Sequence, residues 1–184
     1  MREYKSNKKN IIATTVIQTP LGDMFAASTK NGICMLNYYD QRKEKTQKEL
    51  EKMKKFFNAD IIPAHNKYFE VLQKELKEYF EKKRENFTIP LQLVGTPFQQ
   101  SVWKILQLIP YGETISYLDE AKLLKNEKAV RAVANANGRN PISIIIPCHR
   151  VIASGGKIGG YSSGIDKKIE LLKLENSYSY DIIA

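Results

Sequence analysis

A chain of 184 residues, 42% hydrophobic and 27% charged, has room for one ordinary domain or two small ones with a real core. No stretch approaches the roughly 18 apolar residues of a membrane span, and no apolar segment follows the Lys-rich start; a cytoplasmic protein without a membrane partner is expected. Cys34 and Cys148 are the only cysteines, which argues against a disulfide framework. Neither they nor His65 and His149 fall at a metal-ligand spacing, so no metal and no cofactor are expected.

Residues 1–10 are polar and basic and read as a loose arm. Ile11 to Ile17 is rich in β-branched residues, and Thr19-Pro20-Leu21-Gly22 supplies a turn before Met24 to Ser28. Asn31-Gly32 makes a tight turn into Ile33 to Tyr39, so the start predicts a β-meander. Residues 42–57 and 67–83 read as helices, the second with an apolar stripe at Tyr68, Val71, Leu72, Leu76, Tyr79 and Phe80. Ile89-Pro90-Leu91 is a short extended piece. A boundary at Val94-Gly95-Thr96-Pro97 divides the chain into an N-terminal α/β region, residues 1–94, and a C-terminal domain, residues 95–184.

Beyond that boundary Phe98, Val102, Ile105, Leu106 and Ile109 follow helical spacing, and Pro110-Tyr111-Gly112 ends the helix. Ser116 with Asp119 reads as a capping box opening a helix to about Leu124. After Lys125-Asn126-Glu127, a third helix is expected from about Lys128 to Asn137, closed by Gly138 at C′. Two short helices joined by a three-residue turn resemble a helix-turn-helix. Pro141 blocks further helix, and the apolar run Ile142 to Ile146 reads as a buried extended segment with Cys148 at its exit. Ser154-Gly155-Gly156 and Gly159-Gly160-Tyr161-Ser162-Ser163-Gly164 read as loops that let backbone approach a ligand. Ser163 with Asp166 is expected to cap a last helix carrying Ile169, Leu172 and Glu175.

The formal charge of +9 is unevenly used. Residues 1–94 hold 18 basic and 12 acidic side chains, and residues 95–184 hold 11 and 8. Lys-rich helices with solvated faces account for most of this excess. The informative window is Lys128 to Ile165, which has no Asp or Glu but holds Lys128, Arg131, Arg139, Arg150 and Lys157. It surrounds Cys148 and favours an anionic partner.

A thiol of pKa about 8.5 is only a few per cent ionised at neutral pH, so a nucleophilic Cys148 needs a base or nearby positive charge. His149 is beside it, but neighbours in an extended segment point apart. A bridging water, or a turn in the backbone, would bring them into register. A neutral imidazole also needs an orienting acceptor, for which Glu175 is a candidate. The residues leave other readings open: Cys148 as a small core residue, a helix-turn-helix regulator with a structural or redox thiol, or a cysteine hydrolase. Arg131 reads equally as a solvated helix charge, Ala129, Ala132, Ala134 and Ala136 as a helix-packing face, and Asn140 as a turn residue.

Residues 95–175 resemble the catalytic domain of the O6-alkylguanine-DNA alkyltransferases. The matching stretches are Gly95-Thr96-Pro97-Phe98-Gln99-Gln100, Ile109-Pro110-Tyr111-Gly112, Ser116-Tyr117, Ala129-Val130-Arg131-Ala132-Val133, Asn137-Gly138-Arg139-Asn140-Pro141 and Ile144-Ile145-Ile146-Pro147-Cys148-His149-Arg150-Val151. Thr19-Pro20-Leu21-Gly22 resembles the N-terminal region, where the family has a ribonuclease-H-like β-sheet. The implied fold is α/β: that sheet region plus a helical domain containing a helix-turn-helix.

The resemblance implies direct-reversal repair, with Cys148 taking the alkyl group from guanine O6, or from O4-alkylthymine, in a single turnover. By the same resemblance, His149 deprotonates the thiol through a water, Glu175 orients the imidazole, and Asn140 braces the turn. Tyr117 presses on the phosphate backbone and donates its hydroxyl to the flipped guanine. Arg131 enters the base stack as a finger, on a helix lying in the minor groove with Ala129, Ala132, Asn135 and Ala136 as further DNA contacts. Val151, Gly159, Gly160, Tyr161, Ser162 and Ser163 are implied to line the base pocket. The implied partner is alkylated double-stranded DNA, bound by a monomer or by several copies along the duplex.

Overall fold

The β-branched start does form a strand. In the computed structural model, which describes residues 9–39 and 43–177, β1 (Asn10–Ile17), β2 (Met24–Thr29) and β3 (Gly32–Tyr38) make the expected antiparallel meander. The basic arm lies outside the described residues except at its end. A helix α1 (Lys43–Phe57) carries the chain to β4 (Ala59–Pro63), which adds in parallel to β1 and gives the sheet order β3-β2-β1-β4.

Alternating strand side chains supply both faces of this sheet. Ile12, Ala27, Cys34 and Met35 pack under Leu50 and Met53 of α1. Ala13, Ile17, Met24, Ala26, Ile33, Leu36 and Tyr38 face the other way, toward α2 (Lys67–Phe80) and the helical half. Asn66 starts α2 by accepting from the backbone N–H groups of Tyr68 and Phe69, a side-chain cap. Cys34 is fully buried, and desolvation pushes its thiol up to about 12, against any role as a thiolate.

In the second half α3 (Pro97–Leu106) begins at a capping box of Thr96 with Gln99, Pro97 filling the first helical turn. The Ser116–Asp119 capping box is present at α4 (Tyr117–Leu123). The third helix is shorter than its spacing predicts: a 3-10 turn over Glu127–Ala129 leads into α5 (Val130–Asn137). The Trp103 indole N–H donates to the Ala136 carbonyl at 3.0 Å and pins α5 to α3. One continuous hydrophobic cluster runs from β1 through α2 to Trp103, Val133, Ile146 and Leu171.

Two local expectations fail. Gly138 has φ −65°, not a left-handed value, because the chain leaves α5 through further right-handed turns closed by Arg139 N–H to Ala136 C=O and Asn140 N–H to Asn137 C=O. Ser163 does not cap the last helix, α6 (Ile165–Leu174); Gly164, at φ +100°, is its N-cap, and Ser163 is fully buried behind it.

Strand β3 is buried at all seven positions. Its outer edge is covered at Ile33 by Pro90 and Gln92, and at Leu36 by backbone from the second half: Leu36 N–H donates to Pro141 C=O at 2.9 Å, and Ser143 N–H donates to Leu36 C=O at 2.7 Å. The Asn37 side chain adds a bond to Pro141 C=O at 3.2 Å and accepts from Ser143 Oγ at 3.1 Å. The segment leading to Cys148 is thereby attached to the sheet.

Candidate active site

The run Ile142 to Ile146 is buried as expected but is not extended. It folds into tight turns, with Ile146 N–H bonded to Ile142 C=O and Ile144 held at φ +71°. For a β-branched residue that left-handed conformation is strained, and it persists only where the surroundings over-determine it. Asn140 supplies much of that determination. Its Oδ1 accepts from Ile142 N–H at 3.0 Å, and its Nδ2 reaches Ile146 C=O at 2.7 Å and the Cys148 Sγ at 3.2 Å.

Cys148–Arg150 then forms a 3-10 turn ending in β6 (Val151–Ile152), which pairs in parallel with β5 (Ile115–Ser116). The turn changes the side-chain directions expected of an extended segment. His149 is fully buried, and its Nε2 meets Glu175 Oε1 at 2.9 Å. Burial is the largest influence on the imidazole and holds its pKa down; Glu175 pulls the other way, while Arg150 and Lys168 reinforce burial. A neutral ring bonded to a carboxylate through Nε2 carries its proton there, leaving the lone pair on Nδ1. That Nδ1 is buried and has no hydrogen-bond partner among the described residues.

Glu175, the C-cap of α6, is bonded on both oxygens. Arg150 Nε donates to Oε2 at 2.9 Å and Arg150 Nη2 to Oε1 at 3.0 Å. The Tyr79 hydroxyl donates to Oε1 at 2.7 Å. Burial alone would raise the Glu175 pKa, but the bonds and charges of His149 and Arg150 outweigh it and bring the carboxyl to about 2. Arg150 also donates to Ile109 C=O at 2.6 Å. One of the five cations in the acid-free window is therefore spent inside the protein, and its charge does not reach the surface.

A cavity of about 380 Å³ opens beside the thiol, lined by Tyr117, Ala134, Asn137, Gly138, Cys148, Gly160, Tyr161 and Ser162. Three larger cavities, of about 670, 690 and 580 Å³, lie elsewhere and contain neither Cys148 nor His149; chemistry rather than volume picks the site. Of the expected pocket residues, Gly160, Tyr161 and Ser162 line it. Val151, Gly159 and Ser163 do not: Val151 and Ser163 are fully buried. Gly159, at φ +68°, passes the Tyr117 ring so closely that a Cβ would sit 3.4 Å from it. Burial, the Cys148 charge and then Glu120 raise the pKa of the Tyr117 hydroxyl, which keeps it a proton donor.

Two buried charges beside the cavity had no signal in the sequence. Lys168, fully buried, donates to Val151 C=O at 2.6 Å and to Gly160 C=O at 3.4 Å, tying the glycine-rich loop to β6. Burial lowers its pKa to about 8, opposed by Cys148. Glu120 on α4 accepts from Asn137 Nδ2 at 2.6 Å, and burial raises its pKa to about 7 against that bond.

On α5, Arg131, Ala132 and Asn135 are exposed, with Lys128 just before them and Ala129 half-buried. Arg131 makes no hydrogen bond or ion pair among the described residues. Ala136 is a correction: it is buried, its carbonyl takes the Trp103 indole proton, and it faces the core with Val133. Among the described residues no group of three or more His, Cys, Asp or Glu is arranged to hold a metal, and no helix is long and apolar enough to cross a membrane.

Fold and site define a cysteine-nucleophile protein built on a helix-turn-helix. The family model described as the 6-O-methylguanine DNA methyltransferase DNA-binding domain matches residues 97–177, and the model for that family's ribonuclease-like domain matches residues 12–93. The chain belongs to the 6-O-methylguanine DNA methyltransferase family. It is 44% identical to the methylated-DNA–protein-cysteine methyltransferase of Methanosarcina barkeri, over 88% of this chain and 96% of that protein. An inducible relative from Bacillus subtilis is 38% identical, over 87% and 88%. A crystal structure of Mycobacterium tuberculosis O6-methylguanine methyltransferase superposes with a TM-score of 0.74 at 38% identity, covering 92% of this chain and 94% of that one. The OGT of the same organism in complex with DNA gives 0.73 at 37% identity, covering 94% and 97%.

Proposed function

We propose that this chain is a cytoplasmic, single-chain agent of direct DNA repair that takes the alkyl group from O6-alkylguanine onto Cys148. The observation that carries the reading is the placement of Cys148. Its sulfur sits in a loop braced by Asn140 and at the wall of a cavity, and the next residue is His149, whose Nδ1 has no hydrogen-bond partner among the described residues.

In this reading His149 Nδ1 takes the thiol proton, directly or through a water, while Glu175, itself held by Arg150, orients the ring and balances its charge. The thiolate attacks the alkyl carbon, the S–C bond forms, and the C–O6 bond breaks. The leaving guanine takes its proton from the Tyr117 hydroxyl, which His149 restores, so the thiol proton ends on the guanine. The thioether has no easy hydrolytic exit, so each chain acts once. Residues 95–184 carry DNA binding and transfer: Arg131 replaces the extruded nucleotide in the stack, with Lys128, Ala132 and Asn135 against the minor groove. Tyr161, Ser162 and Gly160 enclose the flipped base.

Incubation with a duplex containing O6-methylguanine, followed by mass spectrometry, tests the reading. The peptide containing Cys148 is expected to gain one methyl group, and Cys148→Ala to bind the duplex without removing the methyl. An unmodified Cys148 peptide after prolonged incubation would overturn the assignment.

A further inference from the structure

Tyr79 lies on α2, outside the helical half, packed against the rings of Phe80, Phe87 and Tyr111. A phenylalanine would fill the same space, so packing alone does not account for the hydroxyl. That hydroxyl donates to Glu175 Oε1 at 2.7 Å, the same oxygen that meets His149 Nε2 at 2.9 Å and Arg150 Nη2 at 3.0 Å. Three donors converge on one carboxylate oxygen.

We propose that Tyr79 is a positioning residue for alkyl transfer, whose hydroxyl sets how strongly Glu175 draws on His149 and so how readily the imidazole serves as a base. The proposal rests on the reading of Cys148 as acceptor and His149 as base. A donor bonded to a carboxylate stabilises its charge and lowers the electron density offered to its other partners. Without the Tyr79 hydroxyl, Oε1 keeps two donors and binds imidazolium more tightly. His149 then holds its proton to higher pH and is blocked as a base over a wider acid range.

The other charged and titratable groups around the pair stay in place when only this hydroxyl is removed. From the turn after Cys148, Arg150 bonds both Glu175 oxygens; from α6, Lys168 adds positive charge near His149. Tyr111, on the connection after α3, donates to Leu174 C=O at 3.1 Å and feels Glu175 and Glu85 only through charge. The Cys148 thiol completes the set.

The test is the single-turnover rate of methyl transfer by full-length Tyr79→Phe, at saturating O6-methylguanine duplex, across the pH range of imidazole titration. The expected result is an acid limb displaced to higher pH by about one unit, a tenfold slower rate below the midpoint. The alkaline plateau and DNA affinity stay within about twofold of wild type. NMR titration of His149 without DNA reads the same displacement and does not depend on transfer. Tyr79→fluorotyrosine, a stronger donor of the same shape, is expected to move both midpoints to lower pH and covers a folding failure of the first variant. Midpoints that coincide with wild type in both variants overturn the proposal, as does a rate lowered by one factor at every pH. Failure of the wild-type protein to methylate Cys148 overturns the underlying reading separately.

Discussion

Replacing Asn140 by alanine removes three bonds at once: Oδ1 to Ile142 N–H, and Nδ2 to Ile146 C=O and to Cys148 Sγ. The first two partners are buried backbone groups. Ile142 N–H is left without an acceptor; Ile146 C=O still accepts from Cys148 N–H at 2.8 Å but loses its shorter bond. A buried polar group left unpaired costs about 1–3 kcal/mol, and the weakened carbonyl and strained Ile144 turn add to it. A total loss of about 2–5 kcal/mol is expected, against the usual 5–15 kcal/mol of global stability. With a urea slope of about 2–3 kcal/mol per molar, the unfolding midpoint falls by about 1–2 M. The Cys148 sulfur also loses its bond from Asn140, so on the proposed function transfer at saturating DNA slows by at least about tenfold. Urea unfolding followed by tryptophan fluorescence, with Trp103 in the same core, and single-turnover transfer provide the two readings. A midpoint within about 0.3 M of wild type together with an unchanged transfer rate would refute the bracing argument.

Arg131→Ala is expected to slow repair of lesions in duplex DNA by tenfold to a hundredfold, the order of a lost unstacking contribution, while repair of a single-stranded oligonucleotide stays near wild type; equal duplex repair removes the finger role. Glu175, with a folded pKa of about 2 and an ordinary value of 4.5, contributes about 3 kcal/mol that is fully present above pH 4.5 and is lost as pH falls toward 2. Acid unfolding of Glu175→Gln, compared with wild type over that interval, should lack this slope. Glu120 has the opposite sign, because its folded pKa is raised to about 7. Its contribution is complete below pH 4.5 and is lost as pH rises toward 7, a dependence that Glu120→Gln should abolish in denaturation measured at several pH values.

The candidate site was legible where its parts are neighbours in the chain. Cys148, His149 and Asn140 fall within ten residues, and Ser116 with Asp119 announces its helix by a local capping pattern. Glu175 was reachable because it ends the next helix. Tyr79 was visible only as one member of an apolar stripe, since a hydroxyl aimed at a carboxylate far along the chain has no local signature. Arg150 counted as a free cation for the same reason. Ala136 rested on the resemblance alone; an alanine carries no signal of whether it faces DNA or core, and on α5 this one packs with Val133 while Arg131, Ala132 and Asn135 are exposed. The extended reading of Ile142 to Ile146 failed because hydrophobicity reports burial without distinguishing a strand from a turn held by Asn140.

The covered edge of β3 bears on how the chain is made. An exposed, apolar strand edge is a template for pairing with another chain, and proteins commonly blunt such edges with charge or proline. Here the cover comes in two parts: Pro90 to Gln92 bonds Ile33, about sixty residues on, and Pro141 to Ser143 bonds Leu36, more than a hundred residues on. At about 5–20 residues per second, a nascent chain would wait roughly 5–20 s between emergence of the strand and of the part of its cover that bonds Leu36. During synthesis the N-terminal sheet is therefore a candidate for aggregation and for chaperone binding, and that exposure ends when the segment leading to Cys148 arrives.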